Sequence, residues 1–207
     1  MATSGTTSFD LPIDEIIEEA FERTGMRGNR TGYQLKSARR SLNIMFSEWG
    51  NRGVHLWKIK QETIPLVECQ AEYNFANDNT NFPQDISDVL EAFVRNNTTA
   101  TAPVDTTLTK IDRSAYAALA NKLSKGTPSQ YYVQRTVAPS IFLFQTPSSS
   151  FSGSNFQLKF FYVARIQDAG AYTNESDVVY RFIPCMTAGL SYYLSLKYSP
   201  ETAQANK

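Results

Sequence analysis

The apolar positions between residues 31 and 50 recur every three or four residues, which predicts a helix over 33–50 with one buried face. These positions are Leu35, Ala38, Leu42, Met45, Phe46 and Trp49. Thr31, followed three residues later by Gln34, has the spacing of a capping box at the start of such a helix. We expect Trp49, the largest side chain of the face, to be deeply buried, so that its loss would strongly destabilise the fold.

The pattern changes after this helix from a helical period to a run of aromatic and β-branched residues. Gly50 and Gly53 are expected to end the helix, because glycine adopts the left-handed backbone that terminates helices. Val54, Leu56, Trp57 and Ile59 then predict a strand with almost no linker before it.

A first helix is predicted over 10–24, with Asp10 as its cap and Gly25 as its stop. Its apolar face contains Ile13, Ile16, Ile17, Ala20 and Phe21. Its opposite face is acidic and contains Asp14, Glu15, Glu18, Glu19 and Glu22. Such a face is typical of a solvated surface, and the alternative is a wall that meets a basic partner or DNA.

Two more helices are predicted in the second half of the chain. One covers 112–124, capped by Asp112 and closed by Gly126 and Pro128. Its expected buried stripe is Ala115, Tyr116, Leu119 and Leu123. The other covers about 180–198, with Pro184 in its first turn. Its expected stripe is Phe182, Met186, Leu190, Tyr193 and Lys197, with Ile183, Leu194 and Tyr198 beside it.

The region between the helices has the alternating, aromatic-rich pattern of strands. The predicted strands are 54–64, 66–75, 87–95, 130–137, 140–146 and 155–166. Short connections between them imply antiparallel pairing. Two long loops rich in Asn, Thr and Ala, 74–85 and 96–105, are the predicted contact surfaces.

These elements predict an α+β fold, with a bundle of three to four helices packed beside an antiparallel β-sheet or small barrel. We expect one domain over 1–207. Its parts are a helical part (10–52 and 174–198), a mainly β part (54–168) and a flexible C-terminal tail (199–207).

Composition narrows the possible functions. The 207 residues contain 20 basic and 20 acidic side chains, so the overall charge does not favour binding to a polyanion. Cys69 and Cys185 are far apart in apolar or mixed contexts, which predicts buried free thiols and a reducing compartment. The first ten residues lack the basic and apolar parts of a secretion signal, and we expect no membrane span.

No motif for catalysis or cofactor binding is found in the sequence. His55 is the sole histidine, and neither a nucleophile motif nor zinc-ligand spacing accompanies it. The segment 77–88 is rich in oxygen ligands but lacks the spacing of a calcium loop. Nucleotide-binding glycine motifs are also missing. We therefore predict no catalytic, cofactor-binding or metal-binding residue, and an enzyme is the least favoured class.

Two groups of side chains could still mediate binding. Lys36, Arg39 and Arg40 form a basic cluster, expected to pair with glutamates of the first helix or of a neighbouring subunit, or alternatively to contact phosphate. Aromatic residues in the strands could stack on bases or sugars, but the pattern favours a core role. These are Tyr131, Tyr132, Phe142, Phe144, Phe160, Phe161 and Tyr162.

Four stretches, taken together and in order, carry a family resemblance. They are DEIIEEAFERTG, SARRSLNIMFSEWGNRGVHLWKI, KGTPSQYYVQR, and ARIQDAG with the late helix RFIPCMTAGLSYYLSLKY. In these the chain resembles the head-to-tail adaptor proteins of short-tailed bacteriophages, which dock under the portal ring. Two departures are Cys69 in VECQ, where the family has a glycine, and LFQTPSS at 143–149, which lacks a Trp-Pro pair.

The resemblance implies a structural virion protein at the head-tail junction, assembled in the host bacterial cytoplasm. Its subunits would form a ring, with twelve as the expected number, that joins the portal to the tail nozzle and extends the DNA channel. The C-terminal segment would reach the portal, with Tyr198, Pro200 and Glu201 as contacts, and would order only on docking. Lys36, Arg39 and Arg40 would contact DNA or a neighbouring subunit. Cofactors and membranes play no part in this function.

The alternative function is a sugar-binding or host-contact β-module of a tail fibre. The aromatic strands and the long polar loops favour it, because aromatic faces are common contacts for sugars.

Overall fold

The computed structural model describes residues 5, 9, 11–26, 28–54, 56–75 and 85–200. The α-helices within them are α1 (Ile13–Arg23), α2 (Gly32–Asn51), α3 (Arg113–Ala118) and α4 (Ile183–Tyr198). The strands are β1 (Ile59–Leu66), β2 (Glu72–Asn74), β3 (Ile86–Asn96), β4 (Val104–Thr107), β5 (Thr109–Lys110), β6 (Lys125–Gly126), β7 (Gln130–Gln134), β8 (Ser140–Phe144), β9 (Thr146–Pro147) and β10 (Gly153–Ala164). The predicted α+β class is confirmed.

The chain divides into two compact units, each with its own hydrophobic core. The helical unit contains the described residues of Met1–Trp57 and Ile166–Lys207, and the β unit is Lys58–Arg165.

Helix α1 has the apolar face that its spacing predicts, with Ile13, Ile16, Ile17, Ala20 and Phe21 each at most 1% exposed. Pro12 occupies the N-cap position, and the predicted cap Asp10 lies outside the described residues. The first turn is satisfied from elsewhere in the chain, because the N–H groups of Ile13 and Asp14 donate to the carbonyls of Asn174 and Tyr172, each at 3.0 Å. Gly25, with a φ of 78°, follows the helix as predicted.

Helix α2 begins with the predicted capping box. The Thr31 N–H donates to Gln34 Oε1 at 2.8 Å, and the Gln34 N–H donates to Thr31 Oγ1 at 3.3 Å. The helix runs through Gly50 to Asn51, so Gly50 does not end it. Trp49 is only half-buried beside Phe46, because it lies at the edge of the apolar face near the helix end. Its expected deep burial is therefore wrong.

Helix α4 buries Ile183, Met186, Leu190 and Leu194 as predicted, together with three hydroxyl-bearing residues that were not predicted. The buried positions are Ile183, Met186, Thr187, Leu190, Ser191, Leu194 and Ser195. The hydroxyls of Thr187, Ser191 and Ser195 donate to carbonyls of their own helix, so they are buried without losing hydrogen bonds. Pro184 lies in the first turn as predicted.

The far end of the predicted α4 stripe is wrong, since Lys197 is exposed and Tyr193 only half-buried. The Lys197 ammonium donates to the hydroxyls of Ser37 at 3.2 Å and Ser41 at 2.6 Å, which joins α4 to α2. Partial burial, together with the nearby charge of Arg40, lowers the pKa of Lys197.

The described residues of the β unit form two four-stranded sheets and a short parallel pair, β6–β9. One sheet has the order β1-β10-β3-β4 and is antiparallel throughout. The other has the order β2-β8-β7-β5, in which β5 pairs with β7 in parallel. Both contribute to one core, and the described strands form no closed barrel. The Tyr131 hydroxyl donates to the Leu90 carbonyl at 2.9 Å, and burial raises the pKa of this phenol to about 12.

The strand prediction misses β4, β5 and β6 and errs at the ends of several other strands. Residues Leu56–Lys58 form a 3₁₀ turn, so β1 begins five residues later than predicted. The reason lies in Trp57, whose indole packs 4.6 Å from the Phe182 ring and donates to the Asp177 carbonyl at 3.2 Å. The predicted strand 66–75 is reduced to β2, because Cys69 adopts a φ of 64° in a turn before it. This is the left-handed conformation that glycine favours.

Helix α3 is half the predicted length and buries none of its residues. The Asp112 cap is confirmed, with the Ala115 N–H donating to its carboxylate at 2.6 Å. The helix ends at Ala118, and the Asn121 side chain accepts from the Leu123 N–H in the turn that follows. Leu123 is consequently 68% exposed, so the predicted buried stripe is wrong.

The two cysteines are free, as predicted, but both Cys69 and Cys185 are exposed. The expectation that they are buried is wrong. Apolar neighbours in sequence did not imply burial here, because one thiol lies in a turn and the other on the outer side of the first turn of α4.

We predict that Phe21→Ala lowers the free energy of unfolding by about 3 to 5 kcal/mol, because it leaves a cavity in the core of the helical unit. Tyr33→Ala is the matched control, since Tyr33 is 72% exposed in α2 and should cost little. Trp49→Ala should fall between them. Chemical denaturation monitored by circular dichroism would measure all three, and equal losses for Phe21→Ala and Tyr33→Ala would contradict the assignment of the core.

Candidate functional site

The basic cluster on α2 divides into two exposed cations and one that is held internally. Lys36 and Arg40 are exposed, and within the described residues neither side chain has a hydrogen bond or an ion pair. Arg39 is half-buried, donates to the Gly170 carbonyl at 3.1 Å and lies 5.3 Å from the centre of the Tyr172 ring. Pairing of the cluster with glutamates of α1 is not seen in this part of the chain. A neighbouring subunit or a phosphate stays the predicted partner of Lys36 and Arg40.

Arg39 belongs to an anchor for the segment 167–177, which precedes α4. The Ala169 N–H donates to Asn43 Oδ1 at 2.7 Å, one turn of α2 beyond Arg39. The same segment supplies the two carbonyls that accept from the first turn of α1. Sequence reasoning missed this role, because the bonds join residues more than 120 positions apart.

The acidic face of α1 is exposed as predicted. Within the described residues only Glu19 has an ion pair, with Arg23 at 2.8 Å in the next turn. Beside this face is a recess of about 850 Å³, whose lining includes Glu18, Glu22 and Arg30. The Arg30 guanidinium lies over the Phe21 ring and donates to the Met26 carbonyl at 2.7 Å. The face therefore presents a net negative charge.

The β unit contains a larger recess, of about 1100 Å³, which we call the aromatic groove. Its floor is formed by Tyr116 of α3, Tyr132 of β7 and Phe142 of β8. Tyr132 and Phe142 are register partners, and the Tyr116 ring stacks on Tyr132 with centroids 5.2 Å apart and an interplanar angle of 21°. Burial raises the pKa of Tyr116, with a smaller contribution from the charge of Glu72.

Four cations and one carboxylate line this groove: Lys110, Arg113, Lys122, Arg135 and Asp112. Lys110 and Arg135 both pair with Asp88, at 3.3 Å and 2.5 Å. Lys122 donates to the carbonyls of Ala117 and Leu119 near the end of α3. Arg113 is exposed and has no side-chain hydrogen bond or ion pair within the described residues.

The predicted core role of the strand aromatics is half right. Tyr131, Phe160 and Tyr162 are buried, whereas the other four are half-buried. Burial alternates along β7, β8 and β10 at these positions, and this alternation separates the two groups. Period-two alternation was visible in the sequence and could have placed Tyr132 and Phe142 on an outer face.

A third recess, of about 590 Å³, contains a polar network between α2 and α4. The Tyr193 hydroxyl donates to the carboxylate of Glu48, and Arg52 bonds the same carboxylate. The hydrogen bond from Tyr193 lowers the pKa of Glu48, and the carboxylate raises the pKa of Tyr193. The network keeps Glu48 charged and satisfied, which is a structural role.

The structure describes two of the three predicted portal contacts, Tyr198 and Pro200. Tyr198 is the last residue of α4, half-buried with its ring 6.0 Å from that of Phe21. Tyr198 therefore packs within the helical unit, and the ordering of the C-terminal segment on docking stays a prediction. Pro200 is exposed, and Glu201 lies outside the described residues.

Of the two predicted contact loops, the structure describes 96–105 fully and 74–85 only at its ends. The loop 96–105 is a hairpin between β3 and β4, fixed by the Arg95–Asp105 pair, in which two bonds of 2.7 and 2.6 Å hold the pKa of Asp105 down. Most of the loop 74–85, and with it most of the oxygen-rich segment 77–88, lies outside the described residues, as does His55. The contact roles stay predictions.

Among the residues that the structure describes, no group of three or more His, Cys, Asp or Glu side chains could hold a metal ion. In the same residues no helix combines the length and apolar character needed to cross a membrane. A scan against protein-family models and a search of curated proteins find no match to this chain.

Proposed function

We propose that this protein is a structural subunit of a bacteriophage head-to-tail adaptor, without enzymatic activity. Identical subunits form a ring, with twelve as the expected number, that docks under the portal and joins it to the tail nozzle. The ring extends the channel through which packaged DNA leaves the head. The protein would be assembled in the host bacterial cytoplasm and retained at the head-tail junction of the virion.

The observation that carries this proposal is where the four resembling stretches lie in the fold. DEIIEEAFERTG is α1, and the longest stretch is α2 together with its exit through Trp57. ARIQDAG and the late helix supply the anchored segment and α4. These three pack around one hydrophobic core. The fourth, KGTPSQYYVQR, lies in the β unit and covers β6 and β7. The packing of three resembling stretches around one core supports a shared family fold better than any single motif would.

The distribution of charge also supports assembly into a ring. A closed ring of identical subunits needs heterologous contacts, in which one face of each subunit meets a different face of the next. The chain presents an acidic face on α1 and exposed cations on α2 and around the aromatic groove. The proposal also keeps the predicted arrangement of a helical bundle beside an antiparallel sheet.

Lys36 and Arg40 are the proposed contacts to DNA or to a neighbouring subunit, and Arg39 is reassigned to a structural role. A conduit must not grip the DNA that it conducts, so two exposed cations on a chain of zero net charge suit a weak, salt-sensitive contact. The portal contacts are proposed for Pro200 and Glu201, together with the exposed part of Tyr198.

The second candidate function is a sugar-binding or host-contact module of a tail fibre. The half-buried rings of Tyr132 and Phe142 favour it, because they present apolar faces in a groove large enough for a short oligosaccharide.

We predict that the purified chain adds a ring of density to isolated portal rings, visible by electron microscopy as a layer below the portal. Portal alone is the control. A chain that leaves the portal unchanged but binds a neutral glycan on an array would overturn the adaptor function and favour the second candidate.

We predict that a chain ending at Ser199 keeps its melting temperature but loses affinity for the portal. It retains Tyr198, which packs on Phe21, and removes the segment proposed to order on docking. A chain ending at Lys197 is the informative comparison, since it should also be less stable. Portal binding by the Ser199 chain equal to that of the full chain would contradict the proposed contact.

We predict weak binding of duplex DNA that disappears as salt is raised. In Lys36→Ala/Arg40→Ala the slope of log affinity against log salt should fall by about two if both contact phosphates. Arg39→Ala should leave the slope unchanged and lower the melting temperature, because it loses its bond to Gly170. Nanomolar binding by the wild-type chain at physiological salt, measured by fluorescence anisotropy, is incompatible with a conduit.

A further inference from the structure

We infer that the aromatic groove of one subunit receives the acidic face of α1 from a second copy of this chain. The inference rests on the proposed function, because a ring requires one surface of each subunit to fit a different surface of the next. The inference identifies these two different surfaces as the aromatic groove and the acidic face of α1.

The floor of the groove is suited to burying the apolar parts of a partner. Tyr116, Tyr132 and Phe142 form a contiguous set, with neighbouring ring centroids 5.2 to 5.9 Å apart. All three are half-buried, so each presents one part to the core and another to the groove. Rigid aromatic rings lose little conformational entropy on binding, which makes them common anchors at protein interfaces.

The rim of the groove favours a negatively charged partner. Lys110 and Arg135 share Asp88, so much of their charge is already balanced. Arg113 has no acidic partner within the described residues. Lys122 donates to two backbone carbonyls and lies 5.7 Å from the centre of the Tyr116 ring, but it has no acidic partner within the same residues. Arg113 and Lys122 therefore supply positive charge that a partner's carboxylates would neutralise.

The acidic face of α1 has the complementary charge. Asp14, Glu15, Glu18 and Glu22 are exposed along a helix of 11 residues, and none has an ion pair within the described residues. Eleven residues span about 16 Å, so these carboxylates lie within the length of a single contact. The whole chain has 20 acidic and 20 basic side chains. The acidic face of α1 is net negative, whereas the groove is net positive even with Asp112 in its lining and Asp88 paired to two of its four cations. A neutral chain with separated charges is complementary to copies of itself.

Other occupants suit the groove less well. A neutral sugar would use the aromatic floor but would leave Arg113 and Lys122 without a counter-charge. A phosphate backbone needs a track of cations, and here two of the four are held by Asp88. A carboxylate-bearing helix matches both the floor and the two available cations.

The test is a charge swap, read from ring formation on portal and from sedimentation of the chain at low salt. Arg113→Glu and Glu18→Lys/Glu22→Lys should each weaken association by at least about tenfold, because each places like charges together. A chain with all three substitutions, or a mixture of the two variants, should recover association. Arg113 follows the Asp112 cap, where a glutamate is favourable for a helix, so Arg113→Glu should keep its melting temperature.

Arg165→Glu is the matched control, since Arg165 is exposed in the same unit but does not line the groove. If Arg113→Glu forms rings as readily as Arg165→Glu and the wild type, the inference is overturned and the adaptor function stands. If the wild-type chain forms no ring on portal, both are overturned. Glycan or single-stranded DNA binding that Tyr132→Ala abolishes, with ring formation intact, would assign the groove to another ligand.

Discussion

The helical unit depends on the attachment of segment 167–177 to α2. Asn43 and Arg39 bond the backbone of Ala169 and Gly170, and the following residues supply the carbonyls that accept from the first turn of α1. An α-helix begins with N–H groups that have no partner within the helix, and the N-cap residue of α1, Pro12, provides no side-chain cap. One polar attachment on α2 thus fixes both the start of α1 and the approach to α4.

Close packing in this unit also depends on residues that are neither large nor apolar. Thr187, Ser191 and Ser195 follow one another at intervals of four along the buried side of α4. Each hydroxyl donates to a carbonyl of its own helix, so its burial costs little, and its small volume lets neighbouring helices approach. Gly189 contributes in the same way, because a Cβ at that position would lie 2.7 Å from the sulfur of Met45.

The charged side chains left at the surface after packing differ in how far they are already paired within the chain. Arg39 is used internally, which leaves Lys36 and Arg40 as the cations of α2 that face outward. In the β unit, Asp88 holds Lys110 and Arg135, which leaves Arg113 and Lys122 beside a floor of aromatic rings. Residues that look equivalent in sequence therefore differ in the charge that they present to a partner. Some of them pair with other groups of the chain, and others do not.

The sequence by itself determined the helices with long apolar periods, the capping box of α2, the buried face of α1 and the α+β class. These features follow from local spacing, which a helix converts directly into a buried face. It did not determine that Trp49 is half-buried, that α3 is short and exposed, or that Arg39 differs from Lys36. Tertiary structure decided those points, because burial and pairing depend on which distant segment reaches each side chain. The aromatic groove has the same origin: α3 places Tyr116 against Tyr132 and Phe142, and no spacing along the chain encodes that contact.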